Sequence, residues 1–202
     1  MKNKIKYIIL SMAIVLFILI LSLILTDKIT GFDTTIYEFI TLKKNDTITN
    51  IYKCITFFGS TTFIVILCLL FLLIFWKQKK GFVISACLIG STLINNLIKV
   101  IVRRNRPVDL MLVEENTFSF PSGHTMASVS MYGLLIYLVW QSKFSKKLKI
   151  ILTILLSVLI LAIASSRIYL GAHYASDIIG AILMSTIWLI IFINILKNKN
   201  II

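Results

Sequence analysis

The stretch LKIILTILLSVLILAIASSRIYLGAHYASDIIGAILMSTIWLIIFINIL (residues 148–196) is two apolar runs joined by a short polar hinge. The runs, 148–165 and 174–196, are each close to the roughly 20 residues that a helix needs to cross a hydrocarbon core of about 30 Å. Four further runs of this kind lie at residues 7–25, 55–76, 82–102 and 122–140. Backbone N–H and C=O groups find no water in lipid, so each run must satisfy them internally, as a helix. The pattern predicts an all-α fold: an integral membrane bundle of six transmembrane helices, built by a single domain of residues 1–202. With 58% hydrophobic and 14% charged residues, little of the chain is left for a soluble domain.

The charges orient the bundle. Twelve lysines fall into four segments: Lys2, Lys4 and Lys6 before the first run, and Lys77, Lys79 and Lys80 after the second. Lys143, Lys146, Lys147 and Lys149 follow the fourth, and Lys197 and Lys199 the sixth. Six crossings put these four segments on one side and all eight acidic residues (Asp27, Asp33, Glu38, Asp46, Asp109, Glu114, Glu115, Asp177) on the other. The positive-inside rule then predicts cytoplasmic N and C termini. The net charge of +13 is therefore read as a topology signal, and nucleic acid is excluded as a partner. The first run resembles a signal peptide, but its apolar core is long and no small-x-small site precedes Asp27, so it is expected to remain as an anchor. Three cysteines, Cys54, Cys68 and Cys87, show neither a disulfide framework nor metal-ligand spacing and are read as small buried side chains.

Three polar clusters remain after this division: KVIVRRNRP (99–107), PSGH (121–124) and SRIYLGAHYASD (166–177). Each sits at the end of an apolar run, and the charge map gives all three the same side and depth. Lys99, Arg103, Arg104, Arg106 and Arg167 lie outside, against the charge bias. Singly, each is explained by snorkelling to the headgroups; five of them converging with two histidines are not. Lys99, Arg103 and Arg106 are spaced i, i+4, i+7, so they share a face while the helix lasts, and Ser91 and Asn95 extend that face downward. Arginine offers planar bidentate donation to phosphate oxygens and lysine a compact charge. Ser122 and Gly123 open a helix whose free N–H groups and dipole attract an anion. His173 and Asp177 are i, i+4, so the carboxylate can fix the imidazole tautomer. His124 faces them as a potential general acid. The set suits phosphoryl transfer.

Elsewhere the sequence is less specific. GFDTTIYEFITL (31–42), in the first outer loop, reads as a short interfacial helix, with Asp33 as its cap and Ile36, Phe39 and Ile40 at helical spacing. Asp46 reads as the cap of a second helix running into the second span. No chemistry is assigned to this region, and Glu114 and Glu115, an acidic patch in the second outer loop, are too distant from the motifs in sequence to suggest a metal cage. Gly171 supplies backbone freedom in the short third outer loop.

Together the clusters match K-x6-R-P, P-S-G-H and S-R-x5-H-x3-D, and on these motifs the chain resembles the type 2 phosphatidic acid phosphatase family, particularly its short bacterial members. The motifs lie within residues 99–177, and every fixed position is present. The resemblance implies a metal-independent membrane lipid phosphatase that needs no cofactor. His173 would be the nucleophile that forms a phosphohistidine, Asp177 its orienting carboxylate and His124 the proton donor to the leaving oxygen. Lys99, Arg106, Ser122, Gly123 and Arg167 would bind the phosphate, leaving Arg103 and Arg104 for a headgroup or the interface. The implied substrates are phosphatidylglycerophosphate, undecaprenyl diphosphate and phosphatidic acid, met at the outer face of a bacterial cell membrane. The competing reading is a non-enzymatic lipid or anion transporter, or a binding protein with a lapsed phosphatase site. Against it, the charges sit at the outer ends of the runs rather than at a midplane site, no repeat is apparent, and no nucleophile or cation is missing.

Overall fold

The computed structural model describes residues 2–76 and 79–199, so the topological reading of Lys77 lies outside the described residues. Among these the secondary structure is helical and contains no strand. The helices are α1 (Lys2–Leu25), α2 (Thr30–Thr41), α3 (Asp46–Phe57), α4 (Thr61–Ile74), α5 (Lys79–Val102), α6 (Gly123–Gln141), α7 (Lys146–Tyr169) and α8 (Ala175–Asn198), with one 3₁₀ turn at Val108–Leu110.

Length and apolar content mark five segments as able to cross a membrane: Lys4–Leu25, Asp46–Ile74, Phe82–Val102, Lys146–Tyr169 and Ala175–Asn198. The second expected span is divided. The chain breaks at Phe58 to Ser60, where the Ser60 hydroxyl accepts the Phe63 N–H at 3.2 Å and starts α4. At 14 residues α4 is about 21 Å long, too short to cross without α3. The expected fourth span is α6, which the apolar criterion does not pick out. Its composition explains why: Thr125, Ser128 and Ser130 are fully buried polar residues on it. They face protein, because α6 packs against α5, α7 and α8. The lipid-type surface lies on the periphery instead, where Ile8, Val15, Leu73, Leu93, Leu97 and Leu161 are exposed. An apolar exterior of that extent is untenable in water.

Two readings of the first outer loop need correction. Asp33 does not cap α2: that helix starts at Thr30, with Ile29 at its cap position, and Asp33 sits buried in its first turn. The cap of α3 is Asn45, whose side chain accepts the Ile48 N–H at 2.9 Å, not Asp46. Cys87 is buried, but Cys54 is exposed on α3.

The core joins Ile64, Ile84, Cys87, Met131, Leu134, Ile163 and Phe192 across α4 to α8. Interhelical contact in lipid gains little from the hydrophobic effect and depends on close packing. Gly180 on α8 serves this: a Cβ there would lie 2.3 Å from the Phe120 ring, which leads into the start of α6. Gly171, at φ +66°, turns the chain between α7 and α8, and a Cβ there would lie 2.0 Å from the Leu110 carbonyl oxygen. The same turn receives the outer loop, because the Leu112 N–H donates to the Leu170 carbonyl at 2.9 Å. The ends of α5 and α7 and the starts of α6 and α8 therefore meet at one end of the bundle.

Candidate active site

Each arm of the site begins at a helix terminus. On α5, Ser91, Asn95 and Lys99 descend one buried face; Ser91 shares a 2.8 Å hydrogen bond with Ser130, and Asn95 donates to the Pro121 carbonyl at 3.1 Å. The helix ends at Val102 because Arg103 adopts a left-handed conformation, φ 51°. Such a residue terminates a helix and redirects the chain. Arg103 therefore leaves the expected shared face, is exposed, and donates to the Val100 carbonyl at 3.0 Å. Arg104 and Arg106 are turned back toward the bundle.

The outer loop grips the cations. Lys99 Nζ donates to Thr117 Oγ1 at 2.9 Å and to the Phe118 carbonyl at 2.7 Å. Arg106 donates through Nε to the Thr117 carbonyl at 2.6 Å and through Nη1 to the Ala172 carbonyl at 2.7 Å. Its Nη1 also stands 3.2 Å from His173 Nε2. A guanidinium can only donate, so that ring nitrogen is the acceptor and the imidazole proton is on Nδ1. His173 Nδ1 faces Asp177 Oδ2 at 3.4 Å. Asp177 Oδ2 also accepts from Ser119 Oγ at 2.5 Å and from the Tyr174 N–H at 2.9 Å. Burial drives the His173 imidazole down to about 4, although the Asp177 carboxylate works in the opposite direction.

Arg167, at the end of α7, is 1% exposed. It donates to Thr56 Oγ1 at 2.8 Å and is ion-paired with Glu115, while its Nε–H has no partner among the described residues. An unsatisfied buried donor costs roughly 1–3 kcal/mol. Ser122 is the N-cap of α6, fully buried, with its hydroxyl accepting from Thr125 Oγ1 at 3.1 Å. Gly123 leaves its approach open: a Cβ there would meet only Asn95 Oδ1, at 3.5 Å. Lys99, Arg106, Gly123, His124 and His173 line one cavity of about 550 Å³. Its walls on α4 and α5 include Ile64, Val65, Leu69, Leu88, Ile89 and Leu93, interspersed with Thr61, Ser85, Ser91, Thr92, Asn95 and Asn96.

Three groups of residues hold the site together in ways that the motifs do not specify. Glu115 pairs with Arg167, stands 3.4 Å from Arg106 Nη2 and lies 3.9 Å from His124 Nδ1. Burial works to raise its carboxyl, but Arg167 and Arg106 outweigh that and hold it below the ordinary carboxylate range. Thr117 and Ser119 fix the cations and Asp177. Arg104 and Asp33 form the third group: Arg104 is paired with Asp33 at 2.7 Å and with Asp177 at 2.6 Å. The sequence places Arg104 in the cation cluster and leaves it to a headgroup or the interface, whereas here it serves two buried carboxylates; nothing in the sequence around Asp33 points to that partner.

The model of the PAP2 superfamily matches residues 80–201. Phosphatidylglycerophosphatase B of Bacillus subtilis (strain 168) is 28% identical over 168 residues, 81% of this chain and 83% of that protein. The crystal structure of a transmembrane PAP2-type phosphatidylglycerolphosphate phosphatase from Bacillus subtilis superposes with a TM-score of 0.85 at 23% identity, covering 94% of this chain and 96% of that one. That of Aquifex aeolicus LpxE gives 0.66 at 22% identity, over 80% of this chain and 94% of that one.

Proposed function

Because the chain belongs to the PAP2 superfamily and is thereby a phosphatase, a hydrolase of lipid phosphate esters, we propose that it dephosphorylates a membrane lipid at the extracytoplasmic face through a phosphohistidine. The observation that carries this reading is the shape of the 550 Å³ cavity. Its polar end offers two histidines and two cations to a phosphate, and its apolar wall between α4 and α5 suits an acyl or prenyl tail. Arg167 lies behind Glu115, which lines the same end and pairs with it.

On this reading the phosphate settles on Lys99, Arg106, Arg167 and the Gly123 backbone, with Ser122 capping the helix that presents Gly123. Charge accumulates on the equatorial oxygens in the transition state, where preorganised cations are most effective. His173 Nε2 attacks phosphorus, its Nδ1–H held toward Asp177, and the bond to the lipid oxygen breaks as His124 gives that oxygen its proton. Water then attacks the phosphohistidine; His124 takes its proton, the N–P bond breaks, and inorganic phosphate leaves. Phosphatidylglycerophosphate is the first substrate to test, because a similar protein carries that name. Undecaprenyl diphosphate and phosphatidic acid complete the panel.

The test is phosphate release from these lipids by detergent-purified protein in chelator, alongside His173→Ala. The expected result is turnover of at least one lipid by the wild type and loss of at least about three orders of magnitude in the variant. Equal release by the two proteins would sink the assignment. On the same reading α6 is the sixth crossing: 19 residues span about 28 Å, and its polar face is turned inward.

A further inference from the structure

Asp33 lies on α2, outside every motif, yet it is 3% exposed and fully engaged. Its Oδ1 accepts the Ser176 N–H at 2.8 Å and its Oδ2 the Ser176 hydroxyl at 2.7 Å, so it satisfies the first turn of α8 from another helix. The same Oδ2 accepts from Arg104 Nη2 at 2.7 Å. Arg104 Nη1 reaches Asp177 Oδ1 at 2.6 Å and Ser176 Oγ at 2.7 Å, and its guanidinium lies over the Tyr174 ring at 4.2 Å from the centroid. One guanidinium thus bridges two buried carboxylates, and one of those faces the candidate nucleophile. We propose that Arg104 and Asp33 are positioning residues: they hold Asp177 in place for His173 and set how much of its negative charge the imidazole feels.

The inference rests on His173 being the nucleophile. Asp177 divides its two oxygens. Oδ2 is turned to His173, Ser119 and the Tyr174 N–H, and Oδ1 is taken wholly by Arg104. Arg104 has a single positive charge to share between Asp177 and Asp33. While Asp33 draws part of it, Asp177 keeps enough negative charge to stabilise an imidazolium and to orient Nδ1–H. Burial works against the guanidinium's charge, but Asp177 and Asp33 together outweigh it, so Arg104 stays protonated. The other charged or titratable groups around His173 are Arg106 and Glu115 of the outer loop, Arg167 of α7, Lys99 of α5 and His124 of α6. None of these touches Asp33, whose charged partner is Arg104 and whose other hydrogen bonds are to the neutral N–H and hydroxyl of Ser176.

The charge argument gives opposite signs for two variants. In Asp33→Asn, Arg104 spends its charge on Asp177, and His173 holds a proton less firmly. The acid limb of kcat/KM should move to lower pH. In Arg104→Gln, Asp177 is uncompensated, and the limb should move to higher pH. Each shift should be on the order of one pH unit, with the loss of rate falling on kcat rather than KM. The double variant removes one charge of each sign and should return the limb to near the wild-type position. A merely structural role would lower both rates without moving the limbs apart. Limbs that stay at the wild-type position, or that move in the same direction, would overturn the inference. Asp33→Asn preserves shape and carries the test if Arg104→Gln does not fold. Activity surviving in His173→Ala would instead overturn the reading of the site itself, so the two failures are distinct.

Discussion

A neutral imidazole attacks; a protonated one does not. Burial pushes His173 from an ordinary 6.5 down to about 4, against the pull of Asp177. The sign follows: His173 remains in its reactive form at pH values where an ordinary histidine is already protonated. The acid limb of kcat/KM, which reports the free enzyme, is therefore expected nearer to pH 4 than to 6.5. A limb at or above 6.5 would exclude a dry His173 as the group responsible. Glu115 supplies a second residue-level expectation. Its carboxylate already occupies Arg167 and approaches Arg106, so it competes with any anion for those donors. Glu115→Gln should tighten inhibition by vanadate or inorganic phosphate by roughly tenfold, about 1.4 kcal/mol; unchanged inhibition would show that the carboxylate is no competitor. The sequence made His124, His173 and Asp177 visible because each sits at the end of an apolar run, where a polar side chain must have a purpose. It could not expose Glu115, since only the folding of the outer loop brings that residue back to Arg167. Asp33 was hidden more deeply, as it acts on a helix start 143 residues away.

Hydropathy located the long helices but not their interruptions or their roles. The break between α3 and α4 depends on Ser60 capping a new helix inside an apolar run, and serine alone does not announce that. Arg103 is a similar case: the i, i+4, i+7 spacing assumed a helix that in fact ends one residue earlier. Gly171 was legible as a flexible point, but not as the contact on which the outer loop rests. Alanine there must adopt φ +66° and place its Cβ 2.0 Å from the Leu110 carbonyl oxygen. The left-handed conformation alone costs roughly 1–2 kcal/mol, and the overlap adds to it. Gly171→Ala should lower the thermal midpoint and the activity together, because the loop that carries Thr117 and Ser119 must move. Gly123→Ala meets no such obstacle and should fold normally. Equal midpoints for the two variants would mean that the turn tolerates the displacement.

At the scale of the molecule, the proposed topology rests on lysines at one end and acids at the other. Lys6 donates to Asn194 at 2.8 Å, and Lys149 to the Trp140 carbonyl at 3.1 Å. A labelling series in intact cells tests orientation and the α6 crossing together. In a background lacking the native cysteines, one placed at Glu114 should react with an impermeant reagent, and one at Ser145 should not. The same reactivity at both positions would mean that α6 does not cross.

The inward polarity of α6 has a consequence for how such a chain comes to exist. A helix that interleaves Thr125, Ser128 and Ser130 with the apolar residues of its buried face raises the cost of its own transfer into lipid, since each polar group entering unshielded is penalised. If α6 crosses as proposed, its packing against α5, α7 and α8 shields those groups, and α6 alone should integrate less efficiently than together with α5 and α7. The helix that presents His124 is then the last to become comfortable in the bilayer. On that reading, completing the bundle and completing the site that His124 joins are coupled steps.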